Sequence, residues 1–566
     1  MKNTAIAFRW LLFLLLVNFC FTPAFLLAGE APRNMVASVQ PLATDSGLSQ
    51  FKNGGNAVDA AVATALTLGV VDGHNSGIGG SAFILIRTSD GKFIAIDGRE
   101  MAPAKATRDM FVKQGRVDSE ASQTGALASG VPGALAAYEF AVQKYGKRPL
   151  GELLLPAAEI AENGFPLDHI YARNLKATTE RIQRFESTRN VLLKPDGTPY
   201  VEGEILKQPD LASTYRSLAG QGSQWFYRGP FAQAAERWMA ANGGIMTAAD
   251  FANYKIELRQ PVSTTYRGYT IVGFPPPSSG GVHVAQMLNI LENFSLKQLY
   301  DQRPADFVHV VAEAMKLAFA DRAYWLGDPD HAPVPRGLTS REYAADLAKR
   351  IDLSRATKVP QHGTPPNAAT DLFTKHTTHV TAADESGTWV AITTTVNTSF
   401  GSKVIVPGTG VLLNNQMDDF SLQPGTPNSF GLVGAEANAI APGKRPLSSM
   451  SPTIVLKDGQ PILSVGAAGG PTIISQVLLA IVRHIDLGQS VDEALAAPRF
   501  HHQWSPDRLI MEDAWPDDIV AELSRRGHEV VRRPTIGVTQ AIGWSAADKK
   551  FHGTYDPRVP GKAAGW

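Results

Sequence analysis

The 566-residue sequence has a single cysteine, Cys20, and it lies in an apolar N-terminal segment. If that segment is removed, the mature protein has no cysteine, which excludes disulfides, a thiolate nucleophile and cysteine metal ligands. An excess of one charge is also lacking, since the sequence has 53 basic and 53 acidic residues. Without a basic run, it has no electrostatic footprint for nucleic acid. Any anionic ligand must therefore be bound by a few placed groups.

Several motifs of known chemistry are missing as well. The sequence has no G-x-S-x-G elbow, so a serine hydrolase of that type would lack its nucleophile. The glycine-rich segment 77–82 precedes a strand-like run, whereas a dinucleotide-binding turn follows a strand and opens a helix. His501 and His502 are adjacent, and neighbouring residues of a strand or helix face different ways. We therefore expect packing or hydrogen-bonding roles for both histidines.

The first 28 residues have the pattern of an export signal. Lys2 and Arg9 precede the apolar run 10–17, and the segment ends at the small residue Ala28, which suits signal peptidase. We predict a signal peptide over residues 1–28 and an exported protein, periplasmic or secreted. An uncleaved membrane anchor is the alternative, because the apolar stretch is close to the ~20 residues that a spanning helix needs.

The rest of the sequence mixes helical and strand patterns. Asn56 is followed three residues later by an acid and then by small apolar residues, which predicts a capped, buried helix. Runs 83–87 and 92–97 flank an Asp-Gly turn and predict a hairpin. Segment 306–324 has helical spacing. Segment 354–373 has no apolar periodicity and is typical of a mobile surface segment, and short strand candidates, 410–413 among them, follow it. We expect sheets covered by helices.

Thr377 begins the Thr-Thr-His-Val-Thr run that comes directly after this irregular segment. A threonine hydroxyl is a poor nucleophile unless a base lies within reach, and one such base is the residue's own α-amine. An α-amine titrates near a pH of about 8, much closer to neutrality than a lysine. If the His376–Thr377 bond is cut, Thr377 could thus supply both the nucleophile, through its hydroxyl, and the base, through its α-amine. The run is also ordinary strand sequence, since β-branched residues favour strands without any chemistry.

Several motifs along the chain match, in their residues and order, those of a known protein family. In the C-terminal third they are Thr377-Thr378-His379, 395–401, 412–420, 445–453, 466–470 and 497–504; in the N-terminal part they are 55–61, 99–106 and 275–281. In content and order they resemble the γ-glutamyltranspeptidase (glutathione hydrolase) family of N-terminal-nucleophile hydrolases. The resemblance implies an α+β fold, a four-layer αββα sandwich. It also implies autocatalytic cleavage of a precursor into a large subunit, 29–376, and a small catalytic subunit, 377–566, which together form a heterodimer.

The resemblance implies four catalytic residues. Thr377 would attack the γ-glutamyl amide, and Thr395 would orient the nucleophile by a hydrogen bond. The backbone N–H groups of Gly469 and Gly470 would stabilise the tetrahedral oxyanion, a role for which paired main-chain donors are suited. From spacing alone, Thr395 would be an ordinary strand residue and the two glycines a turn.

Six more residues would bind the α-amino-acid end of the donor: Arg99, Ser448, Ser449, Asp419, Asn397 and Gln416. The first three supply a cationic fork and two hydroxyls for the α-carboxylate. The last three supply oxygen acceptors for the α-ammonium. Without the resemblance, Arg99 and Asp419 would be taken for surface or ion-pair residues.

The implied activity is cleavage of the γ-glutamyl amide of glutathione and related compounds, with transfer to water, an amino acid or a peptide. No metal or organic cofactor and no nucleic-acid partner is implied. One alternative is an acylase for glutaryl or β-lactam side chains; such substrates lack the α-amine, so Asp419, Asn397 and Gln416 favour the γ-glutamyl reading. Another is an unprocessed, non-catalytic protein that uses the fold for binding.

Phe430 departs from the family pattern. It stands in segment 424–431, where bacterial relatives with a lid loop often have tyrosine. Phenylalanine has no hydroxyl to bond Asn397. We therefore predict a lid that is present but loosely held, without a polar latch.

Overall fold

Two antiparallel sheets of seven strands form the centre of the protein in the computed structural model, which describes residues 28–370, 372 and 380–566. In spatial order the first sheet contains Ala28–Ala31, Lys550–Thr554, Val538–Ser545, Gln460–Ala468, Thr453–Lys457, Tyr269–Gly273 and Val262–Tyr266. The second contains Lys562–Gly565, Asn34–Ser38, Thr381–Asp384, Trp389–Thr395, Ser81–Arg87, Phe93–Gly98 and Glu257–Arg259. Each sheet therefore combines strands from both sides of position 377.

The sheets pack face to face because alternate residues of each strand point in opposite directions. On strand Ser81–Arg87, Phe83 and Leu85 join the apolar core that lies between the sheets, whereas Ile84 and Ile86 pack against helices. The Thr381 hydroxyl donates a hydrogen bond to Ser464 Oγ of the other sheet, with 2.7 Å between the oxygens. The two central strands, Trp389–Thr395 and Gln460–Ala468, are thus neighbours across the interface.

Helices cover both outer faces, which completes the four-layer αββα arrangement expected from the sequence. The layer on the second sheet consists of Pro41–Lys52, Ala57–Val71, Ala134–Tyr145 and Leu150–Asn163, and that on the first of Gly280–Leu291, Pro304–Trp325 and Thr472–Ile485. The other helices are Ser119–Gln123, His169–Ile182, Glu186–Leu192, Pro209–Gln221, Gln224–Tyr227, Pro230–Ala241, Ala248–Asn253, Leu296–Gln302, Arg341–Ala348, Val491–Ala496 and Asp517–Arg525.

Short elements complete the chain. The 3₁₀ turns are Ala126–Ala128, Arg336–Thr339, Gln416–Asp419 and Glu436–Asn438. The small sheets are Val112–Lys113 with Arg116–Val117, Phe165–Pro166 with Ile205–Leu206, and Phe500–His502 with Leu509–Glu512 and Val530–Arg533. Within the described ranges, no helix is both long and apolar enough to cross a bilayer.

Most of the expected elements are found. Asn56 caps Ala57–Val71 in a capping box with Asp59, and the expected hairpin is Ser81–Arg87 with Phe93–Gly98. The strand expected at 410–413 is wrong, because Leu412 makes only an isolated bridge to Ile405. Its neighbours instead bond to loops: Leu413 N–H donates to Val404 O. The signal sequence predicted for residues 1–28 lies outside the described residues up to position 27.

Candidate active site

A cavity of about 410 Å³ opens at the carboxyl ends of the two central strands. It is lined by nine of the ten residues expected at the site: Arg99, Thr395, Asn397, Gln416, Asp419, Ser448, Ser449, Gly469 and Gly470. The tenth, Thr377, lies outside the described residues, as does His376. Arg99 and Gly470, which are 371 positions apart in sequence, thus line the same cavity.

Thr395 is the last residue of its strand, and a sharp turn follows it. Its hydroxyl oxygen accepts a hydrogen bond from the Asn397 N–H at 2.8 Å. Asn397 has a φ of +83°, in the left-handed region. Its side-chain amide donates to Asn415 O at 3.1 Å, and Asn415 Oδ1 accepts from the Thr398 N–H. The turn therefore fixes Thr395 and Asn397 at the cavity wall.

Gly469 and Gly470 connect the central strand Gln460–Ala468 to the helix Thr472–Ile485. Their φ angles are +130° and +60°. No described residue accepts a hydrogen bond from either N–H group. Because both lie just before a helix N-terminus, these free donors suit an anion or a developing oxyanion.

Side chains at these two positions would collide with their surroundings. A Cβ on Gly469 would lie 2.7 Å from Thr472 Oγ1, and one on Gly470 would lie 2.6 Å from the Phe430 ring. The left-handed backbone adds strain for any L side chain. Glycine is therefore required here by both space and conformation.

Arg99 and Asp419 form a buried ion pair in another part of the cavity wall. Arg99 Nη2 donates to Asp419 Oδ2 at 2.6 Å, and its Nε donates to Pro446 O at 3.0 Å. Gln416 Nε2 donates to the same Asp419 oxygen at 3.3 Å. Burial raises the pKa of Asp419 to about 6, although the Arg99 charge acts in the opposite direction.

Glu100 lies against the remaining nitrogen of Arg99. The distance from Arg99 Nη1 to Glu100 Oε2 is 3.6 Å, too long for a hydrogen bond, and both carboxylate oxygens of Glu100 are buried without one. Burial raises the pKa of Glu100 to about 8. At neutral pH it is therefore mostly protonated, and Asp419 is the main counterion of Arg99. The planar fork that was expected to hold a ligand carboxylate is thus partly engaged by protein atoms: Nε and Nη2 donate hydrogen bonds, whereas Nη1 donates none to a described residue.

Ser448 and Ser449 present hydroxyls to the same end. Ser448 Oγ accepts a hydrogen bond from the Met450 N–H at 3.2 Å. Ser449 Oγ accepts one from Arg322 Nη2 at 3.0 Å. Arg322, which also lines the cavity, was missed by the sequence analysis. The available signal was its place four residues after Ala318, where a cation continues an otherwise apolar helix face.

Asn428 and Phe430 of segment 424–431 line the cavity, and the prediction that this segment lacks a polar latch is wrong. Asp418 Oδ2 accepts a hydrogen bond from the Ser429 N–H at 2.9 Å, and Gln503 Nε2 donates to Phe430 O at 3.3 Å. These contacts reach the main chain of the loop, so they do not depend on a tyrosine hydroxyl. The Phe430 ring itself lies against Gly470.

The two adjacent histidines make separate hydrogen bonds, as expected. His501 Nε2 contacts Gln503 Oε1, and His502 Nε2 contacts Asp507 Oδ1, each at 3.1 Å. Neither lines the cavity.

A group of three buried residues elsewhere, His309, Glu313 and His528, has ligand atoms within 4.8 Å of one another. However, both ring nitrogens of His309 are engaged, by His528 and by Asp352 O. The Lys316 ammonium is 2.9 Å from Glu313 and supplies its counterion. We interpret this group as a buried hydrogen-bonded cluster rather than a metal centre.

The chain is similar to known proteins over nearly its whole length. The family model described as gamma-glutamyltranspeptidase matches residues 43–566. The glutathione hydrolase proenzyme of Escherichia coli (strain K12) is 45% identical, over 94% of this chain and 91% of that protein. The acylase ACY 1 proenzyme of Pseudomonas sp. (strain SE83) is 39% identical, over 91% and 90%. The solved cephalosporin acylase from Bacillus halodurans has a TM-score of 0.85 at 32% identity, over 95% of this chain and 97% of that one.

Proposed function

The chain belongs to the γ-glutamyltranspeptidase family, and from the geometry of its cavity we propose that it cleaves γ-glutamyl amides through an acyl intermediate on Thr377. The donor is glutathione or a related γ-glutamyl compound. The acceptor is water, an amino acid or a peptide.

The observation that carries this proposal is the division of the cavity into two unlike ends. One end has the hydroxyl of Thr395 and the unpaired N–H groups of Gly469 and Gly470. The other has buried charges, among them Arg99 and Asp419. A γ-glutamyl donor has the same division, because a reactive amide lies at one end and an α-ammonium and α-carboxylate at the other.

The register of the second sheet supports the role of Thr377. Thr381 is opposite Ala391 in the antiparallel pair, and Val380 O accepts a hydrogen bond from the Ile392 N–H. Each step back on one strand is matched by one step forward on the other. The chain therefore enters this pair of strands at Val380, three residues after Thr377, on the side where the partner strand ends at Thr395 in the cavity wall.

The reaction needs only groups of this chain and the substrate. Thr377 Oγ attacks the γ-carbonyl carbon while its proton passes to the α-amine of the same residue. The oxyanion accepts hydrogen bonds from the N–H groups of Gly469 and Gly470. When the intermediate collapses, the C–N bond breaks and the new ammonium returns the proton to the leaving amine. Water or an acceptor amine then attacks the Thr377 ester, and the threonine is regenerated.

Donor binding would use the charged end. The hydroxyls of Ser448 and Ser449 donate to the α-carboxylate within the positive field of Arg99. Asp419, with the side-chain oxygens of Asn397 and Gln416, accepts from the α-ammonium. A ligand with both groups can thus form ion pairs with both members of the existing Arg99–Asp419 pair.

The glutaryl or β-lactam acylase activity is the second candidate, because acylases are among the similar proteins. Asp419 argues against it as the main activity. A glutaryl group has no ammonium to complement this carboxylate, so Asp419 would contribute nothing to the recognition of such a substrate.

The proposal includes two processing steps. Cleavage between His376 and Thr377 would create the subunits 29–376 and 377–566, and removal of residues 1–28 would accompany export. The intermixed strands of both sheets are consistent with subunits that stay together after cleavage.

Intact-mass spectrometry of purified wild type and Thr377→Ala, together with a γ-glutamyl anilide assay, tests the proposal. We expect two chains and anilide cleavage from the wild type, and one uncut, inactive chain from the variant. Thr374→Ala is a matched control outside the cleaved bond and should process normally. Anilide cleavage by the uncut variant would refute the terminal-threonine mechanism, and N-terminal sequencing of the large chain tests signal removal.

A further inference from the structure

Arg322 is a second buried cation at the charged end of the cavity. It lies in the last turn of helix Pro304–Trp325, where the negative end of the helix dipole favours a cation. Its Nε donates to Ser279 Oγ at 2.9 Å, and its Nη2 donates to Ser449 Oγ at 3.0 Å. Burial lowers the pKa of Arg322 to about 10, so the group is still charged at neutral pH.

The two cations at this end are paired differently. The carboxylate of Asp418, next to Asp419, accepts hydrogen bonds from the Ser122 hydroxyl and the Ser429 N–H. Asp419 is paired with Arg99, and in the described part of the chain Arg322 forms no ion pair with any carboxylate. A buried guanidinium without a counterion is unfavourable, and an anionic group of a ligand would relieve this cost.

Arg322 also determines what the Ser449 hydroxyl can do. Since this oxygen accepts from Arg322, its own proton must point elsewhere. No described residue accepts that proton, and Ser449 lines the cavity. The hydroxyl is therefore held as a donor toward a ligand anion.

The other contact of Arg322 extends this support to Ser448. The Ser279 hydroxyl, which accepts from Arg322, donates to Ser448 O at 2.7 Å. The Ser279 N–H donates to the same oxygen at 2.8 Å. Loop 275–281, whose sequence matched the family without an assigned role, thus links Arg322 to the main chain of Ser448.

We propose that Arg322 is a positioning and specificity-determining residue for the donor's α-carboxylate. It orients Ser449 directly and Ser448 through Ser279, and it supplies the positive charge that a carboxylate neutralises. This inference rests on the proposed function and adds to it the residue that selects donors with a carboxylate.

The test compares wild type with Arg322→Gln on γ-glutamyl anilide and on 4-aminobutyryl anilide, which lacks only the α-carboxylate. We expect the variant to lose about 10- to 100-fold in kcat/KM on the first, mainly through KM, and less than about 3-fold on the second. Inhibition constants for glutamate and 4-aminobutyrate should differ in the same way, which keeps the test valid if the second anilide reacts slowly.

Two further variants separate positioning from general stability. In a Ser449→Ala background, Arg322→Gln should have a much smaller effect, because the hydroxyl through which it acts is absent. Arg322→Lys keeps the charge but not the fork, so it should restore part of the lost affinity. Arg483→Gln is a matched control, since Arg483 is buried, donates to the carbonyls of Ala494 and Ala497 and does not line the cavity.

Arg483→Gln should leave the ratio of kcat/KM between the two anilides unchanged. Equal losses on both anilides in Arg322→Gln, or no loss on either, would overturn the inference while leaving the proposed function intact. If wild type cleaves no γ-glutamyl anilide, the proposed function fails first. Intact mass shows whether the variant is processed into both chains. If processing is incomplete, the inhibition constants measured on the processed fraction decide whether Arg322 recognises the α-carboxylate.

Discussion

The two ends of the cavity are built differently. The end with Thr395, Gly469 and Gly470 uses main-chain donors and a hydroxyl at the ends of neighbouring strands, and these three described residues are uncharged. The end with Arg99, Asp419 and Arg322 uses charged side chains from three distant segments. The first end suits a negative charge that develops only during the reaction, and the second suits charges that the substrate always has. Damage to the first should lower kcat, and damage to the second should raise KM.

The largest effect is expected from Gly469→Ala in processed enzyme. The φ of +130° and the 2.7 Å approach to Thr472 Oγ1 would displace the N–H donor. We predict a fall in kcat of about 100- to 1,000-fold with KM changed less than about 3-fold, as for the loss of one oxyanion donor. Steady-state kinetics on γ-glutamyl anilide measure both values.

Gly54→Ala is the matched control for this change. Gly54 also has a positive φ, +83°, but no atom within 4 Å of an added Cβ. It should lower stability slightly and leave kcat unchanged. A rise in KM at constant kcat for Gly469→Ala would show that the two ends do not divide the work as proposed.

A smaller effect is expected from Asp419→Asn, which keeps the shape of the side chain and removes its charge. We predict a rise in KM for γ-glutamyl anilide of about 10- to 100-fold, because the α-ammonium loses its charged acceptor. Glutaryl anilide, which lacks the ammonium, is the control substrate and should bind no worse. If both substrates lose equally, Asp419 supports the site structurally instead of recognising the donor.

The smallest expected effect is the pH dependence of kcat/KM that results from protonation of Asp419. Since burial raises the pKa of Asp419 to about 6, the carboxylate is neutralised as the pH falls through that value. The α-amine of Thr377 already lowers kcat/KM about tenfold per pH unit below its own pKa of about 8, so we predict a second break near pH 6, below which kcat/KM for γ-glutamyl anilide falls more steeply. This second break should be absent in Asp419→Asn, whereas the limb of the α-amine should remain; a break near pH 6 that persists in the variant would assign this titration to another group.

Much of the fold and of the site could be predicted from the sequence, because each motif is a short run of neighbouring residues. The family and the αββα fold predicted from the motifs are confirmed, and the nine described site residues do line one cavity. The pairing of Arg99 with Asp419 could not be predicted, since it joins residues 320 positions apart and depends on sheet packing. Arg322 was missed because a lone arginine on an apolar helix usually reaches solvent or an acid.

The error about the loop has a similar cause. The absence of a tyrosine hydroxyl at Phe430 was visible in the sequence, but the Asp418 carboxylate that accepts from the Ser429 N–H was not. Side chains that bond to loop main chain leave no pattern in the loop itself. Sequence reasoning was therefore reliable for which residues meet and weak for how they are bonded.

The most direct test of the central claim is peptide mapping by mass spectrometry after rapid quenching of the processed enzyme with a γ-glutamyl substrate. The account predicts one γ-glutamyl adduct, on the peptide that begins at Thr377, and its loss when an acceptor amino acid is added. An adduct on any other residue, or turnover by a chain that is still continuous through His376 and Thr377, would contradict it.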